Sequence, residues 1–523
     1  MLLRIADAED IDLARQLLQA HEYWRIKQLA VDLVILNERA TSYAQDLQVA
    51  LETLVRASES RPRAAVQSTQ LGRVFVRRAD LMSAATRQLL IAVARAVLVG
   101  QRGRLSDQLD RAPEPRLTAP PKLPWGLPVR AAATAPRTAS LEYYNGLGGF
   151  ADDGREYVTI LGPGQSTPTP WINVVANAGF GFQVATEGSG YTWCANSRER
   201  QLTQWSNDPV TDRSGEAFYL RDDDTGVLWS PTASPIRDDA ATYVAHHGRG
   251  YSRFNLEKNE ISVDLRQFVP LADPIKVSRL AIENRSSRTR HLSVVGFVEW
   301  VLGRVRAVEA PFIMTELDAD TGALMARNAW NPLFAAHIAF IDFGGRQGDY
   351  TGDRREFIGR NGTLSSPAAL ATAAPLSNRV GAALDPCGVL RTRVELAAHG
   401  RIELVFVLGD AENLDEARRL VLHYRTTDLN AVQLAVREYW DGVLGAVQVK
   451  TPDRAMDILL NGWLLYQTLA CRVVARSAFY QASGAYGFRD QLQDGMALAH
   501  SSPGLTREHL LRAAGRQFIE GDV

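Results

Sequence analysis

The sequence has little that could staple a fold or hold a metal. Its three cysteines, Cys194, Cys387 and Cys471, are odd in number and widely separated, and no CxxC pair exists. That pattern fits a reducing compartment better than a secreted disulfide scaffold. No GxxxxGK[ST] cradles a phosphate and no HExxH holds zinc. His246 and His247 are adjacent in a strand-like run, so they point to opposite faces and no metal ligand set is expected. Net charge is missing too: 58 Lys and Arg face 59 Asp and Glu. No broad field therefore draws the chain to nucleic acid or anionic lipid, and a neutral sugar polymer is the easier partner. Long apolar runs are absent. The longest, residues 89–99, is interrupted by Arg95 and falls short of the ~20 residues that cross a bilayer. Acids near the N-terminus and the lack of an apolar core there exclude a signal peptide. A soluble, cytoplasmic chain is expected, although a fragment of a larger membrane protein would read the same way.

What is present is a long chain whose periodicity changes twice. At 523 residues it has room for several domains with large cores. Residues 1–110 read as a helical region, and within it residues 7–58 repeat apolar positions at helical spacing: Leu13, Leu17 and Leu18, then Leu29, Leu33, Leu36, Tyr43, Leu47, Leu51 and Leu54. This predicts a short and a long amphipathic helix, with a second helical block over 79–109 whose stripe of Leu89, Leu90, Val93 and Val97 packs on the long helix. Residues 111–140 carry Pro113, Pro115, Pro120, Pro121, Pro124, Pro128 and Pro136, which predicts an extended linker.

Over 141–410 the pattern alternates. Runs such as REYVTIL, GFGFQVATEGSGYTW and EAFYLRDDDTGVLWS are rich in β-branched and aromatic residues, and Asp224-Thr225-Gly226 supplies a hairpin turn. The segment 277–300 reads as a long hairpin turning at 284–287, and GRIELVFVLG as the last strand. A large antiparallel sandwich is expected. From 411 onward helical spacing returns, with helices over 414–424, 427–443 and 453–471 and another beginning at Leu505. The end at Val523 leaves a helical layer barely begun, which reads as a truncation.

The chemistry concentrates in 475–494, ARSAFYQASGAYGFRDQLQD. Asp490 precedes a helix beside Phe488 and Arg489, where desolvation and charge can tune a carboxyl for protonating a leaving oxygen. Phe479, Tyr480, Tyr486 and Phe488 could stack on sugar faces, and Gln481, Gln491 and Gln493 could read hydroxyls. Asp490 with Gln493 also forms a D-x-x-Q capping box, so a capping role stands beside the catalytic one. Asp494, one turn on, suits orienting Arg489 or facing solvent. The charge run DRRE at 353–356 suits a solvated loop or a phosphate or sugar contact.

Several long stretches carry a resemblance: 143–174, 189–222, YTGDRREFIGR at 350–360, and above all SAFYQASGAYGFRDQLQD at 477–494. They resemble glycoside hydrolase family 94, most of all the C-terminal half of the cyclic β-1,2-glucan synthases, with cellobiose and chitobiose phosphorylases as more distant kin. The resemblance implies a galactose-mutarotase-like β-supersandwich over 141–410, a helical linker over 411–450, and the start of an incomplete (α/α)6 barrel over 451–523. It implies inverting phosphorolysis with Asp490 as general acid, inorganic phosphate as attacking co-substrate, and no cofactor. Phe488 would line the sugar subsite, and Asp353, Arg354 and Arg360 would approach sugar and phosphate. The implied partner is a β-glucan within a larger inner-membrane protein on its cytoplasmic side, with a homodimer allowed. A chain missing most of its barrel would be nearly inactive. Two alternatives stay open: a carbohydrate-binding module recognising sugar through Trp171, Trp193 and Trp205, and an inverting hydrolase with a second carboxylate ~6.5–9.5 Å from Asp490.

Overall fold

The structure, a computed structural model, describes residues 1–26, 29–39, 46–59, 72–110, 141–206, 208, 210–475 and 487–522. They fall into two units, Met1–Pro121 and Lys122–Val523. The proline-rich stretch 111–140 lies outside the described residues.

The first unit corrects the all-helical expectation for residues 1–110. Helices are there, at Ile11–Ile26, Asp46–Glu59, Ala84–Val93 and Leu105–Asp110. Between them run four parallel strands in the order Val74–Arg78, Leu33–Asn37, Leu2–Ile5, Val97–Val99. Leu33 and Leu36, which look like helix positions, sit in a strand paired with its neighbours at Leu2↔Val34 and Leu33↔Val74. The physical reason is that a strand of a parallel sheet covered on both faces is apolar throughout, and a short apolar run cannot be told from a helix turn by spacing. The helices Ile11–Ile26 and Asp46–Glu59 bury Leu13, Leu17, Leu47 and Leu51 on one face of that sheet. Leu89 and Val93 are exposed, and Leu90 and Val97 pack instead near Leu2, Leu36 and Ala79. Leu29 is exposed as well, and Tyr43 lies outside the described residues.

The second unit is the antiparallel sandwich followed by helices. Its largest sheet has ten strands and runs from Ile313–Leu317 at one edge to Gly148–Ala151 at the other, through Arg401–Ala411, Ile275–Asn284 and Tyr243–Gly248. Two five-stranded sheets pack with it. One core, containing Phe180, Phe182, Trp229, Trp300, Leu280, Val294 and Phe406, fills the space between the layers. The Asp224–Gly226 turn forms as expected: Leu220 faces Trp229 and Gly226 takes φ +77°, a conformation glycine adopts without strain.

The long hairpin over 277–300 does not form. Ile275–Asn284 pairs with Ile261–Phe268 and Arg401–Ala411 in the large sheet, whereas Arg290–Val298 pairs with Glu216–Asp222 and Pro386–Leu396 in another. The connection is an arch between layers. Asn284, fully buried, holds it: its amide reaches the Arg288, Leu396 and Ala397 carbonyls and its oxygen accepts from the Ser286 N–H. Both strands are buried on both faces, so their alternation carries no information about which partner each will choose.

After the last strand come the helices Leu414–Thr426 and Leu429–Leu444, capped by Asn413 and Asp428. A continuous helical run then extends from Arg454 to Val474, with wider π turns at Leu459–Trp463 and Leu469–Val474. The helices Phe488–Met496 and Pro503–Ala514 complete it.

Candidate active site

The helices are fastened to the sandwich by a polar joint around Tyr466, which is buried. Its hydroxyl accepts the Gly250 N–H at 3.0 Å, and its single proton can go to Asn173 Oδ1 at 3.0 Å or the Val174 carbonyl at 3.1 Å. Nearby, the Trp463 indole N–H donates to the Gly154 carbonyl at 2.6 Å, and Arg454 forks onto Glu142 at 3.0 and 3.1 Å. The approach is close enough to demand glycine. A Cβ at Gly250, whose φ is +83°, would lie 2.6 Å from the Trp440 ring, and one at Gly462 would lie 1.9 Å from the Arg249 guanidinium.

This platform carries the helix Phe488–Met496. Leu498, just beyond it, is buried in the same cluster as Trp440, Trp463 and Tyr466, and Asp494 binds Arg472 at 2.5 Å, tying it to the π turn Leu469–Val474. Asp494 thus anchors to Arg472 and does not orient Arg489. Asp490 is the third residue of the helix, not its cap; Gly487 occupies the cap position. The capping reading of Asp490 is therefore corrected, because the helix starts earlier than the acid. Its carboxyl is half-exposed, pairs with the exposed Arg489 at 3.0 Å and folds back over Gly487, where a Cβ would meet Asp490 Oδ2 at 2.3 Å. Phe488 is half-buried beside it. Gln481, with Phe479, Tyr480 and Tyr486, lies outside the described residues.

The second group sits at the end of the strand Asp349–Asp353 and in the short helix Arg354–Ile358. Asp353 is buried and caps that helix, accepting the Arg355 N–H at 3.0 Å, with Arg379 at 3.2 Å. Arg354 is already engaged: its Nε is 2.7 Å from Glu299, a carboxylate shared with Arg306 at 3.0 Å, and both arginines also face Asp385. The DRRE run is thus part strand end and part helix, stitched into a charge cluster whose members Glu299, Arg306 and Asp385 carry no sequence signal of their own. Arg360 is exposed. Among the described residues no hydrogen bond or ion pair joins Asp353, Arg354 or Arg360 to 487–494; each group is built separately.

Other candidates resolve into packing. Trp193 is buried, and Trp205 stacks on Tyr191 at 4.9 Å and 6°. Trp171 meets Tyr157 edge-on. His246 pairs with Glu156 at 3.0 Å, while His247, fully buried, lies 3.0 Å from the Ser252 hydroxyl. Burial pushes the His247 imidazole down to about 4. The donor atoms of Cys194, His337 and Asp410 lie within 4.8 Å of one another and could hold a metal ion. Both oxygens of Asp410 are already taken, however, by Arg200 at 2.6 Å and His337 at 2.6 Å. Burial pushes this carboxyl up, but Arg200 and His337 outweigh it and hold it below the usual carboxylate range.

The residues thus build an antiparallel sandwich fastened to a helical layer that carries an exposed acid, and sequence comparison places this chain in a carbohydrate-active class. Residues 155–427 match the glycosyl hydrolase 94 supersandwich domain, and residues 439–523 match the catalytic domain of the glycosyl hydrolase 94 superfamily. The chain belongs to glycosyl hydrolase family 94. It is similar to the cyclic β-(1,2)-glucan synthase NdvB of Rhizobium meliloti (strain 1021), at 42% identity over 100% of this chain and 19% of that protein. It is also similar to the N,N'-diacetylchitobiose phosphorylase of Vibrio furnissii, at 28% over 70% of this chain and 46% of that enzyme. The solabiose phosphorylase of Paenibacillus borealis is 29% identical over 72% of this chain and 48% of its own length. The chain thus spans less than half the length of each of these relatives. No helix among the described residues is long and apolar enough to cross a membrane.

Proposed function

We propose that this chain is the sugar-handling part of a β-1,2-glucan-active phosphorylase module, with Asp490 as the general acid. The observation that carries the reading is the half-exposed Asp490 carboxyl in the first turn of Phe488–Met496, inside the segment that matches the family's catalytic domain. In the proposed reaction Asp490 gives its proton to the glycosidic oxygen as the C1–O bond breaks. A phosphate oxygen bonds to C1 from the opposite face, leaving glucose 1-phosphate with inverted configuration. Phosphate is the nucleophile, so no second carboxylate is required to activate water. Phe488 would pack on the sugar, and Gln481, Arg489 and Asp494 would flank it. Arg360, exposed, is better placed to reach a ligand than Arg354, which Glu299 holds, or Asp353, which caps a helix.

The module is proposed to work on the cytoplasmic side of a membrane, as part of a longer protein. This chain alone is expected to turn over little or nothing. The test is glucose 1-phosphate release from linear β-1,2-glucan, with and without inorganic phosphate, by a chain extended through a complete catalytic domain. Strict phosphate dependence supports the reading, with Asp490→Asn lowering kcat roughly 10²- to 10⁴-fold while glucan binding persists. Reducing sugar released without phosphate would instead make the protein a hydrolase. Binding with no product in either condition would make it a carbohydrate-binding module, a reading favoured by the supersandwich match over 155–427.

A further inference from the structure

Away from Asp490, the sandwich presents an aromatic platform that its own core does not use. Trp330 is 70% exposed and Phe312 39%, and their rings lie parallel, 5.2 Å apart at 13°. Leu333, three residues on in sequence, is 73% exposed as well. Tryptophan is highly buried on average, and a cluster of exposed apolar side chains on a folded surface marks a contact site.

The platform is also rigidly supported. Asn328, fully buried, accepts the Trp330 N–H at 3.1 Å and donates to Glu309 at 2.7 Å and to the Leu302 carbonyl at 3.2 Å. Glu309 ends the short helix Arg306–Glu309, which leads directly into the turn Ala310–Phe312. One buried amide thus ties together the segments that carry both rings. Of the charges around this support, Arg306 is paired with Glu299 and Asp385 and Arg304 with Glu199, while the Glu309 carboxylate is held by the Asn328 amide. A preorganised, exposed aromatic face suits a ligand with an apolar face. A pyranose ring, whose C–H bonds pack on the electron-rich side of an aromatic ring, has that chemistry.

We infer that Phe312 and Trp330 form a glucan-binding subsite, with the outer face of Trp330 stacking on a sugar ring of the chain. The inference rests on the proposed action on β-glucan. It is tested by calorimetric titration of the 523-residue chain with linear β-1,2-gluco-oligosaccharides, following tryptophan emission in parallel. Trp330→Ala is expected to weaken binding about tenfold, the loss for uncovering roughly 55 Å² of apolar contact. It should also remove the emission change, while Trp330→Phe stays within about threefold of wild type. Thermal unfolding of both variants should match wild type, since the ring is exposed.

Unchanged affinity in Trp330→Ala, with wild type binding intact, overturns the subsite and leaves the glucan reading standing. Wild type that binds no oligosaccharide overturns both. A Trp330→Ala variant whose oligomeric mass falls while its glucan affinity holds assigns the patch to a second copy of the chain and also overturns the subsite.

Discussion

Tyr466→Phe removes one oxygen from the joint between sandwich and helices, and its effect can be worked out group by group. The Gly250 N–H, which donates to that oxygen at 3.0 Å, is left in a buried site without a partner. An orphaned buried donor costs about 1–3 kcal/mol. Asn173 stays in place through its Nδ2 bonds to the Gly248 and Tyr251 carbonyls and the Ser252 hydroxyl, while its Oδ1 and the Val174 carbonyl lose the one proton they share, which adds about 0.5 kcal/mol. The ring contacts with Trp440 and Trp463 survive, because phenylalanine preserves them. The expected loss is about 2 kcal/mol. The assay is equilibrium urea unfolding followed through the fluorescence of the buried tryptophans, comparing midpoints at an unchanged slope. Tyr439→Phe, at a half-exposed ring, serves as control and should shift nothing. A Tyr466→Phe loss below about 0.5 kcal/mol would refute the claim that this hydroxyl fastens the two layers.

Three further outcomes follow from buried groups. His247 is kept neutral by burial, with its value lowered to about 4 against about 6.5 when unfolded. Between those two values the unfolded chain holds the extra proton, so this contribution is full above pH ~6.5 and falls away toward pH ~4, by at most about 3 kcal/mol. His247→Gln should flatten that acid limb in stability measured against pH. Gly250→Ala places a Cβ 2.6 Å from the Trp440 ring at φ +83° and should destabilise by about 2–4 kcal/mol in the same urea assay. Asp410→Asn leaves the fully buried Arg200 without its counter-charge and should cost about 3–5 kcal/mol, or prevent folding, read by thermal unfolding and yield of folded protein.

Arg354 is committed to an ion pair within the protein. Its position in YTGDRREFIGR suggests a ligand contact, yet the side chain is committed to Glu299 and lies 3.7 Å from Asp385. A residue held this way contributes to binding chiefly by keeping its neighbours in place. Arg360, six residues on and exposed, is free of that commitment and is the better first substitution for a change in KM.

Local pattern determined a good deal by itself. The helical periods of 414–424 and 427–443, the Asp224–Gly226 turn and the many strands between 141 and 410 depend on spacing, turn chemistry and caps, which act over a few residues. The stretch containing Asp490 stands out by its density of chemistry-bearing residues, but its acid role comes from the family resemblance and is a proposal. Tertiary structure alone decided the parallel sheet of the first unit, the splitting of 275–298 between two sheets at Asn284, and the capture of Arg354 by Glu299. It also decided the supported exposure of Trp330, for which the only sequence hint is a tryptophan followed by Asn331 and Pro332. Each of these is a choice of partner between residues far apart in sequence. Strands buried on both faces look alike whichever neighbour they take, and an ion pair is set by where two backbones meet, so neither leaves a local signature.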